Sequence, residues 1–558
     1  MGIARAALII MLGTAFSRVL GLVREQAIAG LFGATANTDA FTAAARVPNT
    51  VYDLLIGGAI SAALVPVLSD YAESDDREMW RTVSLMINLV LIVLGAATLL
   101  LVLVAPLIMW VFARGFESET RDLSVRLVRI MMPSIMFMGF SGVLTGLLYA
   151  RQQFTLPAIS VAAYNAGIIV MAFLFHDRFG VESLVVGVLV GSSLQVAVQL
   201  PGLARMRYHL GVSLRHPGVR RIALLYIPVS AGLVVSAIGV AIDSNLASRT
   251  GEGNMAAMRF ATTLTQFPLG LIGAAASFAV LPLLSRQASK WAAAIGARAG
   301  GAALSPEARH DSPPPTSAPV EAREAERDQA LAGYKSTLAL GLKMILIAII
   351  PATVGLILLR VPIVELLFQH GKFDPRATDR TATAFLAYSP GLAAAAIDQL
   401  LVFSFYARKN TITPVLVGVG SVGIYVVVGI SLLGPMGMPG LALANSAQWV
   451  SHAVVMVWLV RRAVGGLGGL GLERTGGKVL LATAAMAGVV ALARLALRSV
   501  GDGGTIAGLT AHIVLCAAAG VATYAALLVL LRVPEVRDLL AALRRAVLRQ
   551  QPTTGALS

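Results

Sequence analysis

Residues 7–49 read ALIIMLGTAFSRVLGLVREQAIAGLFGATANTDAFTAAARVPN, an apolar stretch that carries Arg18, Arg24, Asp39 and Arg46. Long runs of Ala, Leu, Ile, Val and Gly are typical of helices that cross a lipid bilayer. A charged side chain inside hydrocarbon is costly, so it nearly always faces a partner or a water-filled cavity. The stretch therefore predicts membrane helices, and several charges kept together there indicate a protein that handles a charged substrate.

The same composition extends along the whole chain. Of its 558 residues, 57% are hydrophobic and 13% are charged, and the mean hydropathy is +0.78. These values exclude an ordinary soluble protein, and the continuous apolar runs exclude a β-barrel, whose strands alternate over about ten residues. The sequence predicts an all-α polytopic membrane protein with about fourteen transmembrane helices of about 20 apolar residues or more. The predicted spans are 5–30, 38–70, 82–112, 123–149, 155–175, 182–204, 221–248, 258–285, 337–368, 380–407, 412–433, 439–460, 478–498 and 508–531.

The net charge of +15 is distributed in a way that argues against nucleic-acid binding. Basic residues without balancing acids occupy loops on one predicted side of the membrane, whereas loops of the opposite parity contain both signs. This positive-inside pattern predicts a multi-pass protein of the cytoplasmic membrane with both termini in the cytoplasm, and no nucleic-acid partner. The basic loops contain Arg205, Arg207, Arg215, Arg220 and Arg221, then Arg408 and Lys409, and then Arg461, Arg462, Arg474 and Lys478.

Residues 286–334 interrupt the apolar runs with a segment rich in Pro, Ala and charges. Such a segment cannot bury enough apolar surface to fold alone, so we expect a mobile cytoplasmic linker whose ends can form short amphipathic helices. The segments around it suggest two six-helix lobes and two further helices, an arrangement that resembles transporters built from internal repeats. The predicted domains are an N-lobe at 1–217, a C-lobe at 218–464 that contains the linker, and a last segment at 465–558 with a basic tail.

The chain contains no enzyme signature. Its seven histidines are scattered without metal-ligand spacing, and no phosphate-binding P-loop motif is present. Cys516 is the only cysteine, which excludes disulfides and thiolate metal sites. The sequence GGLGGLG at 465–471 lacks the strand–turn–helix context of a nucleotide site, and we interpret it as a flexible connector.

A charged stripe marks the second predicted span. Asp39, Arg46 and Asp53 are spaced by seven residues, which places them on nearly the same helix face. Gly57 continues this stripe. We expect the stripe to line an aqueous cavity. The alternative is that Asp39 caps the start of the helix and that Asp53 lies near the membrane interface.

Two arginines of the first span are suited to a phosphate ligand. Arg18 and Arg24 lie six residues apart, and a bend at Gly21 brings them closer than an ideal helix allows. Guanidinium groups bind phosphate bidentately and keep their charge when partly desolvated. The alternative is that they form structural ion pairs with Asp39 and Glu25. The two interpretations are compatible, because such pairs can close a gate when substrate is absent.

Two acids in the second half are candidates for a coupling cation. Asp243 lies in VAIDSNLAS and Asp398 in AAAIDQLLVF. Na⁺ prefers oxygen ligands, and a protonatable carboxylate can carry H⁺ instead. The alternative is that each acid is separately hydrogen-bonded at a helix break. No tightly bound cofactor is expected.

Seven segments resemble the MurJ/MviN family of lipid II flippases, which belongs to the multidrug/oligosaccharidyl-lipid/polysaccharide exporter superfamily. They occur in the expected order over about the first 415 residues, and together they are specific. The segments are SRVLGLVRE (17–25), FGATANTDAF (32–41), ARVPN (45–49), GGAISAALVPVLSDY (57–71), FPLGLIGAAASFAVLPLLS (267–285), LLFQHGKFD (366–374) and FYARKNTITPV (405–415).

The resemblance implies two six-helix lobes around a central cationic cavity, with two C-terminal helices forming a groove for an undecaprenyl tail. It also implies transport of an undecaprenyl-diphosphate-linked disaccharide-pentapeptide from the inner to the outer leaflet of a bacterial membrane. By their motif positions, Arg18, Arg24 and Asp39 would be cavity residues, with the arginines facing the diphosphate. Asp243 and Asp398 would match the acids of a sodium site.

The chain departs from the family pattern at several charged positions. The family usually has a glutamate at the position of Gly57, basic residues at Tyr52 and Asp53, and an arginine at Thr263. Asp53 precedes Gly57 by one helical turn, and Arg259 precedes Thr263 by one turn. We hypothesise that these two charges moved by one turn and still serve the cavity.

The predicted function is alternating-access flipping of this lipid, coupled to membrane potential or to Na⁺ or H⁺. One alternative is a flippase for another undecaprenyl-linked glycan, or a cation-coupled exporter. The other is a non-transporting scaffold that recruits cell-wall synthesis proteins. The expected partners are the lipid-linked precursor, the bilayer and proteins of cell-wall synthesis.

Overall fold

The computed structural model describes residues 3–57, 63–204, 208–299, 320–497 and 505–537. These parts of the chain are built from helices joined by short turns, and no strand occurs in them. The helices are α1 (Ile3–Phe32), α2 (Ala36–Tyr52), α3 (Val65–Ser74), α4 (Asp76–Leu103), α5 (Ala105–Phe112), α6 (Ser118–Met131), α7 (Ser134–Ala150), α8 (Thr155–Phe179), α9 (Glu182–Gln199), α10 (Pro217–Ser248), α11 (Asn254–Ala299), α12 (Val320–Leu358), α13 (Arg360–Phe368), α14 (Pro375–Ala407), α15 (Ile412–Met436), α16 (Met438–Val464), α17 (Leu472–Ala496) and α18 (Ile506–Leu530).

The predicted fold class is confirmed. Within the described ranges, nine helices are long and apolar enough to cross a membrane, and two bent helix pairs raise that number to eleven. The bent pairs are Ser118–Met131 with Ser134–Ala150, and Pro217–Ile227 with Gly232–Ser248. The predicted number of fourteen spans stays a prediction.

Both ends of the predicted linker are helical, as the sequence analysis allows. Residues 286–299 continue α11, and residues 320–334 begin α12. Trp291 and Tyr334 stack at 5.7 Å between ring centroids, which holds these two helical ends together. The middle of the predicted linker, 300–319, lies outside the described residues, as do Arg205, Arg207 and the basic tail at 538–558.

The second predicted span is interrupted. α2 ends at Tyr52, and Asp53–Gly57 continues from it as π-helix. Pro48 lies inside α2 and removes one backbone donor from the helix. The hydroxyl of Tyr226 donates to the Leu54 carbonyl in the π turn. Such π turns are common at functional sites, because they re-aim the side chains on one helix face.

The chain folds into two compact units that do not follow chain order. Unit 1 contains Met1–Thr263, Leu367–Ala384 and Val426–Ala442, and unit 2 contains Leu264–Leu366, Phe385–Tyr425 and Leu443–Ser558. The predicted division at 1–217, 218–464 and 465–558 is a division by sequence and stays a prediction.

Each unit has an apolar core of its own. In unit 1, Phe260 lies 5.2 Å from Phe368 and 5.6 Å from Phe373 between ring centroids. In unit 2, a buried cluster runs through α11, α12, α14 and α16 and includes Tyr334, whose hydroxyl donates to the Ser404 carbonyl.

Candidate functional site

Glu25 is the centre of a charged cluster in unit 1. Its side chain is 2% exposed and accepts hydrogen bonds from two arginines. Arg24 Nη2 lies 2.7 Å from Glu25 Oε1, and Arg259 donates through Nε and Nη2, both at 2.8 Å. Two guanidinium groups facing one carboxylate leave the cluster with a net positive charge.

Neighbouring helices fix the orientation of the two arginines. Arg24 Nη1 donates to Asn165 Oδ1 of α8 at 2.9 Å. The Arg259 guanidinium lies 5.1 Å from the centre of the Phe41 ring, and Nη1 is 3.5 Å from Thr42 Oγ1. The side chains of Arg24 and Arg259 are 23% and 18% exposed, so an anion can reach them. Oriented, partly desolvated guanidinium groups are strong phosphate ligands.

Asp39 is bound to backbone amides. Its side chain accepts from Gly253 N at 2.6 Å and from Ala256 N at 2.7 Å, and the residue is 1% exposed. Of the ion pairs that the sequence offers as an alternative, Arg24 forms the one with the adjacent Glu25, whereas Asp39 is bound to the two amides. Asp39 does act as a helix cap, as the alternative interpretation proposes. It does not cap its own helix, however, but the start of α11, where Gly253 lies 214 residues further along the chain.

The turns around Asp39 contact each other closely. Arg380 donates from Nη1 to the Glu252 carbonyl at 2.7 Å and from Nη2 to the Ala34 carbonyl at 3.2 Å. Gly253 has a φ of +74°, and a Cβ there would overlap the backbone carbonyl oxygen of Ala34, so glycine is required on both grounds. The turns after α1 and after α10 are thus joined to the first turns of α14 at one end of unit 1. We call these contacts the Asp39 seal.

The stripe on α2 continues with an ion pair. Arg46 Nη1 lies 2.5 Å from Asp243 Oδ2, and the two side chains are 25% and 31% exposed. Asp243, a predicted cation-binding acid, is thus paired with Arg46, a predicted substrate-binding residue. The adjacent Ser244 Oγ is buried and has no hydrogen-bond partner among the described residues.

Asp53 is exposed at the start of the π turn. A Cβ built at Gly57 would lie 3.1 Å from Asp53 Oδ1. The Asp53 carboxylate therefore occupies the space beside position 57, as the hypothesis of a one-turn shift requires. Arg18 is exposed on α1. Thr263, one turn after Arg259, donates its hydroxyl to the Arg259 carbonyl at 3.0 Å.

The second predicted cation-binding acid lies in unit 2. Asp398 Oδ1 is 2.6 Å from His452 Nδ1, and both residues are buried. In the described part of the chain, no group of three or more His, Cys, Asp or Glu residues is arranged to hold a metal ion. Asp243 and Asp398 therefore each have a side-chain partner within their own unit.

A sequence profile described as "Lipid II flippase MurJ" matches residues 28–294 and 319–505, which is most of the chain. The chain belongs to the MurJ family. This match includes the Asp39 seal and Arg259, and it agrees with the resemblance that the seven segments indicate.

Individual MurJ relatives agree with the profile. The lipid II flippase MurJ of Burkholderia cenocepacia is 30% identical over 431 residues, which cover 75% of this chain and 76% of that protein. A probable lipid II flippase MurJ of Vibrio cholerae is 29% identical over 79% of this chain and 80% of its own length. This chain is therefore a multi-pass inner-membrane protein of a flippase family, and these relatives are named as transporters.

Solved structures show the same fold. A lipid II flippase MurJ in an inward closed conformation matches with a TM-score of 0.75 over 96% of this chain and 100% of that chain, at 24% identity. An inward-facing multidrug resistance MATE family transporter matches with a TM-score of 0.60 over 81% of this chain, at 15% identity. At these identities the similarity concerns the helical fold alone.

Sequence reasoning about this MurJ family member found Arg24, Asp39 and Arg259, and of their partners it named only Glu25. Glu25 was considered only as a structural ion pair, although it joins both arginines. Asn165 and Arg380 carry no local signal, because each contacts a residue more than a hundred positions away. The contiguous pair Arg24–Glu25 in an apolar helix was the one signal that pointed to the cluster.

Proposed function

We propose that this chain translocates lipid II, the undecaprenyl-diphosphate-linked disaccharide-pentapeptide, from the inner to the outer leaflet of a bacterial cytoplasmic membrane. The observation that carries the proposal is the net positive cluster of Arg24, Glu25 and Arg259, in a chain whose relatives are named as lipid II flippases. The diphosphate is the most highly charged group of that lipid. It needs cationic ligands wherever it leaves water.

The cluster suits a ligand that binds and leaves. Glu25 holds both guanidinium groups in place while the site is empty, which keeps their charges paired in a low-dielectric environment. A diphosphate offers the arginines more acceptor oxygens than one carboxylate, so it can replace Glu25 as their partner. When the lipid leaves, Glu25 pairs with the arginines again. The cluster therefore alternates between an internal and an external anion.

The Asp39 seal supports an alternating-access cycle. It joins the turns at one end of unit 1 through backbone groups, so opening that end requires Asp39 and Arg380 to release their partners together. If both termini are cytoplasmic, as the basic loops predict, α1 ends at Phe32 on the outer side and the seal closes the outer end. Delivery to the outer leaflet then requires the seal to break.

Asp243 is the proposed position of a coupling cation, Na⁺ or H⁺. Its carboxylate and the buried Ser244 hydroxyl supply the oxygen donors that Na⁺ prefers. Either cation would compete with Arg46 for the carboxylate. Binding would therefore free Arg46 for the anionic substrate. A role for Asp398 in coupling, and contacts with proteins of cell-wall synthesis, stay predictions from the sequence.

The test is translocation of labelled lipid II in vesicles that contain the purified chain, together with rescue of a bacterial strain depleted of its own flippase. Arg24→Ala should lower the translocation rate by about tenfold or more, because one charge-assisted phosphate contact is lost. Arg24→Lys should recover part of the rate. Arg178→Ala, which removes an exposed arginine near the end of α8, should leave the rate unchanged.

The alternatives give different results in the same experiment. Equal translocation of an undecaprenyl-linked glycan without a peptide would extend the substrate beyond lipid II. Rescue of growth by a chain that moves no lipid in vesicles would favour the scaffold. Replacing Na⁺ by choline at fixed pH and potential separates the two cations. Asp243→Asn should abolish whichever dependence is found.

A further inference from the structure

The glycine-rich segment at 465–471 forms an ordered loop. α16 ends where Gly466 N donates to the Arg461 carbonyl at 2.7 Å, and Gly465 and Gly466 have φ values of +69° and +91°. Leu467 is 7% exposed and belongs to the core of unit 2. The loop is anchored by this leucine between two helix ends.

Beside the loop lies a cavity of about 550 Å³, which we call the glycine-loop cavity. Its inner wall is apolar and comes from α12, α14 and α16, and its outer wall carries the charged side chains. Three charged residues line the cavity: Arg461 at the end of α16, and Glu473 and Arg474 at the start of α17. A cavity of this size is within the range of small-molecule sites.

Both arginines are available to a ligand. Arg461 and Arg474 are exposed, and neither side chain has a hydrogen bond or ion pair within the described ranges. Lys343 lies beneath the loop, 3.4 Å from the position of a Cβ at Gly471, but Glu535 holds its ammonium group at 2.6 Å. The charges left to a ligand are therefore two guanidinium groups and the Glu473 carboxylate.

The flanking helices place the cavity at a membrane surface. On α16, Val454 and Trp458 are 61% and 55% exposed, and Arg462 lies over the Trp458 ring at 5.6 Å. On α17, Leu480 and Leu481 are 59% and 61% exposed, two turns after Arg474. Exposed apolar side chains face lipid in a membrane protein, and Trp beside basic residues marks the interface with water. Both helices thus leave the bilayer at the loop.

We propose that the glycine-loop cavity binds the headgroup of an amine-bearing membrane phospholipid, with Arg461 and Arg474 on its phosphate and Glu473 on its amine. The lining offers both signs of charge, as a zwitterionic headgroup requires, and its apolar wall receives the start of the acyl chains. Basic pockets between helices at the membrane surface are a general means of holding lipid headgroups. The site is distinct from the Arg24–Glu25–Arg259 cluster and does not depend on which lipid is transported.

The test uses the full-length chain in detergent, with retained lipids counted by native mass spectrometry after incubation with phosphatidylethanolamine, with phosphatidylglycerol, or with inorganic phosphate. The wild-type chain should retain one phosphatidylethanolamine that Arg461→Ala with Arg474→Ala loses, with affinity falling on the order of tenfold. Arg462→Ala is the matched control, because it removes a neighbouring charge that does not line the cavity. It should retain the lipid.

Two further variants sharpen the assignment. Position 468 has open space around it and no left-handed backbone, so Gly468→Trp should fold normally and block the cavity. Glu473→Gln should remove the preference for phosphatidylethanolamine over phosphatidylglycerol. Unchanged lipid retention in the double arginine variant and in Gly468→Trp, with thermal unfolding as in wild type, overturns the site. Loss of the lipid in Arg462→Ala, or occupation by inorganic phosphate in place of lipid, overturns the headgroup assignment.

Discussion

Glu25 and Asp39 are two buried acids of neighbouring helices in unit 1, yet they have opposite kinds of partner. Glu25 faces two arginine side chains, whereas Asp39 faces the backbone amides of Gly253 and Ala256. Arginine side chains can turn toward another anion without moving a helix. Backbone amides move only with their helix. The difference separates a binding cluster, which exchanges partners, from a seal, which must release a whole helix end.

The strongest test of this comparison is Asp39→Ala. It leaves two buried N–H groups without acceptors, each costing about 1–3 kcal/mol, so we expect a loss of about 4 kcal/mol of unfolding free energy. Asp39→Asn keeps one acceptor and should lose about half of that. Thermal unfolding in detergent measures both. Asp53→Ala, on an exposed acid of the same stripe, should change stability by less than about 0.5 kcal/mol. Equal destabilisation by all three variants would contradict the seal.

The second test is Glu25→Gln, which leaves Arg24 and Arg259 without a counter-charge. We expect a loss of about 2–3 kcal/mol, below the about 3–5 kcal/mol of a fully buried pair because both arginines keep contact with solvent. Unlike the Asp39 variants, Glu25→Gln should be restabilised by a soluble diphosphate, since the arginines then regain an anion. Thermal unfolding with and without millimolar diphosphate measures this. Restabilisation of Asp39→Ala by the same anion would contradict the distinction between an anion-exchanging cluster at Glu25 and a seal at Asp39.

The two acids also differ in how far the sequence reveals them. Apolar runs predict the helical membrane fold, since a helix satisfies its own backbone in lipid whatever its neighbours are. They also reveal Arg24 and Asp39 as charges that need a partner. Which partner each one finds depends on contacts across 234 residues for Glu25 and Arg259, and 214 for Asp39 and Gly253. Local pattern carries no information on such distances.

The resemblance to a family identified candidate site residues but not the residues with which they interact. It marked Asp243 and Asp398 as acids of one cation site, but their partners, Arg46 and His452, come from helices that the sequence does not connect to them. The interpretation of 465–471 as a flexible connector likewise gave no information on what the loop contacts. Glycines signal freedom of the backbone, whereas the order of this loop depends on the burial of Leu467 in the core.

The third test concerns the Arg46–Asp243 pair. Like the Glu25 cluster it joins two charged side chains, but here both of them are partly exposed. A double-mutant cycle with Arg46→Ala and Asp243→Ala should give a coupling free energy of about 1 kcal/mol, the upper range for exposed pairs. Thermal unfolding of the four proteins supplies the cycle. A coupling free energy near zero would mean that the Arg46–Asp243 pair adds nothing to stability, so a cation could replace Arg46 at Asp243 without destabilising the fold.

The smallest effect is expected at the π turn, where substitutions can move the negative charge from position 53 to position 57. Asp53→Ala should lower lipid translocation by about threefold to fivefold, the factor for about 1 kcal/mol of electrostatic stabilisation, with little change in stability. Adding Gly57→Glu to Asp53→Ala should restore the rate, because the Asp53 carboxylate already lies beside position 57 and its removal makes room for the longer acid. The same double change with glutamine at 57 keeps the size and removes the charge. It should not restore the rate, and equal rescue by glutamine would mean that the space at position 57, and not its charge, is what the cycle requires.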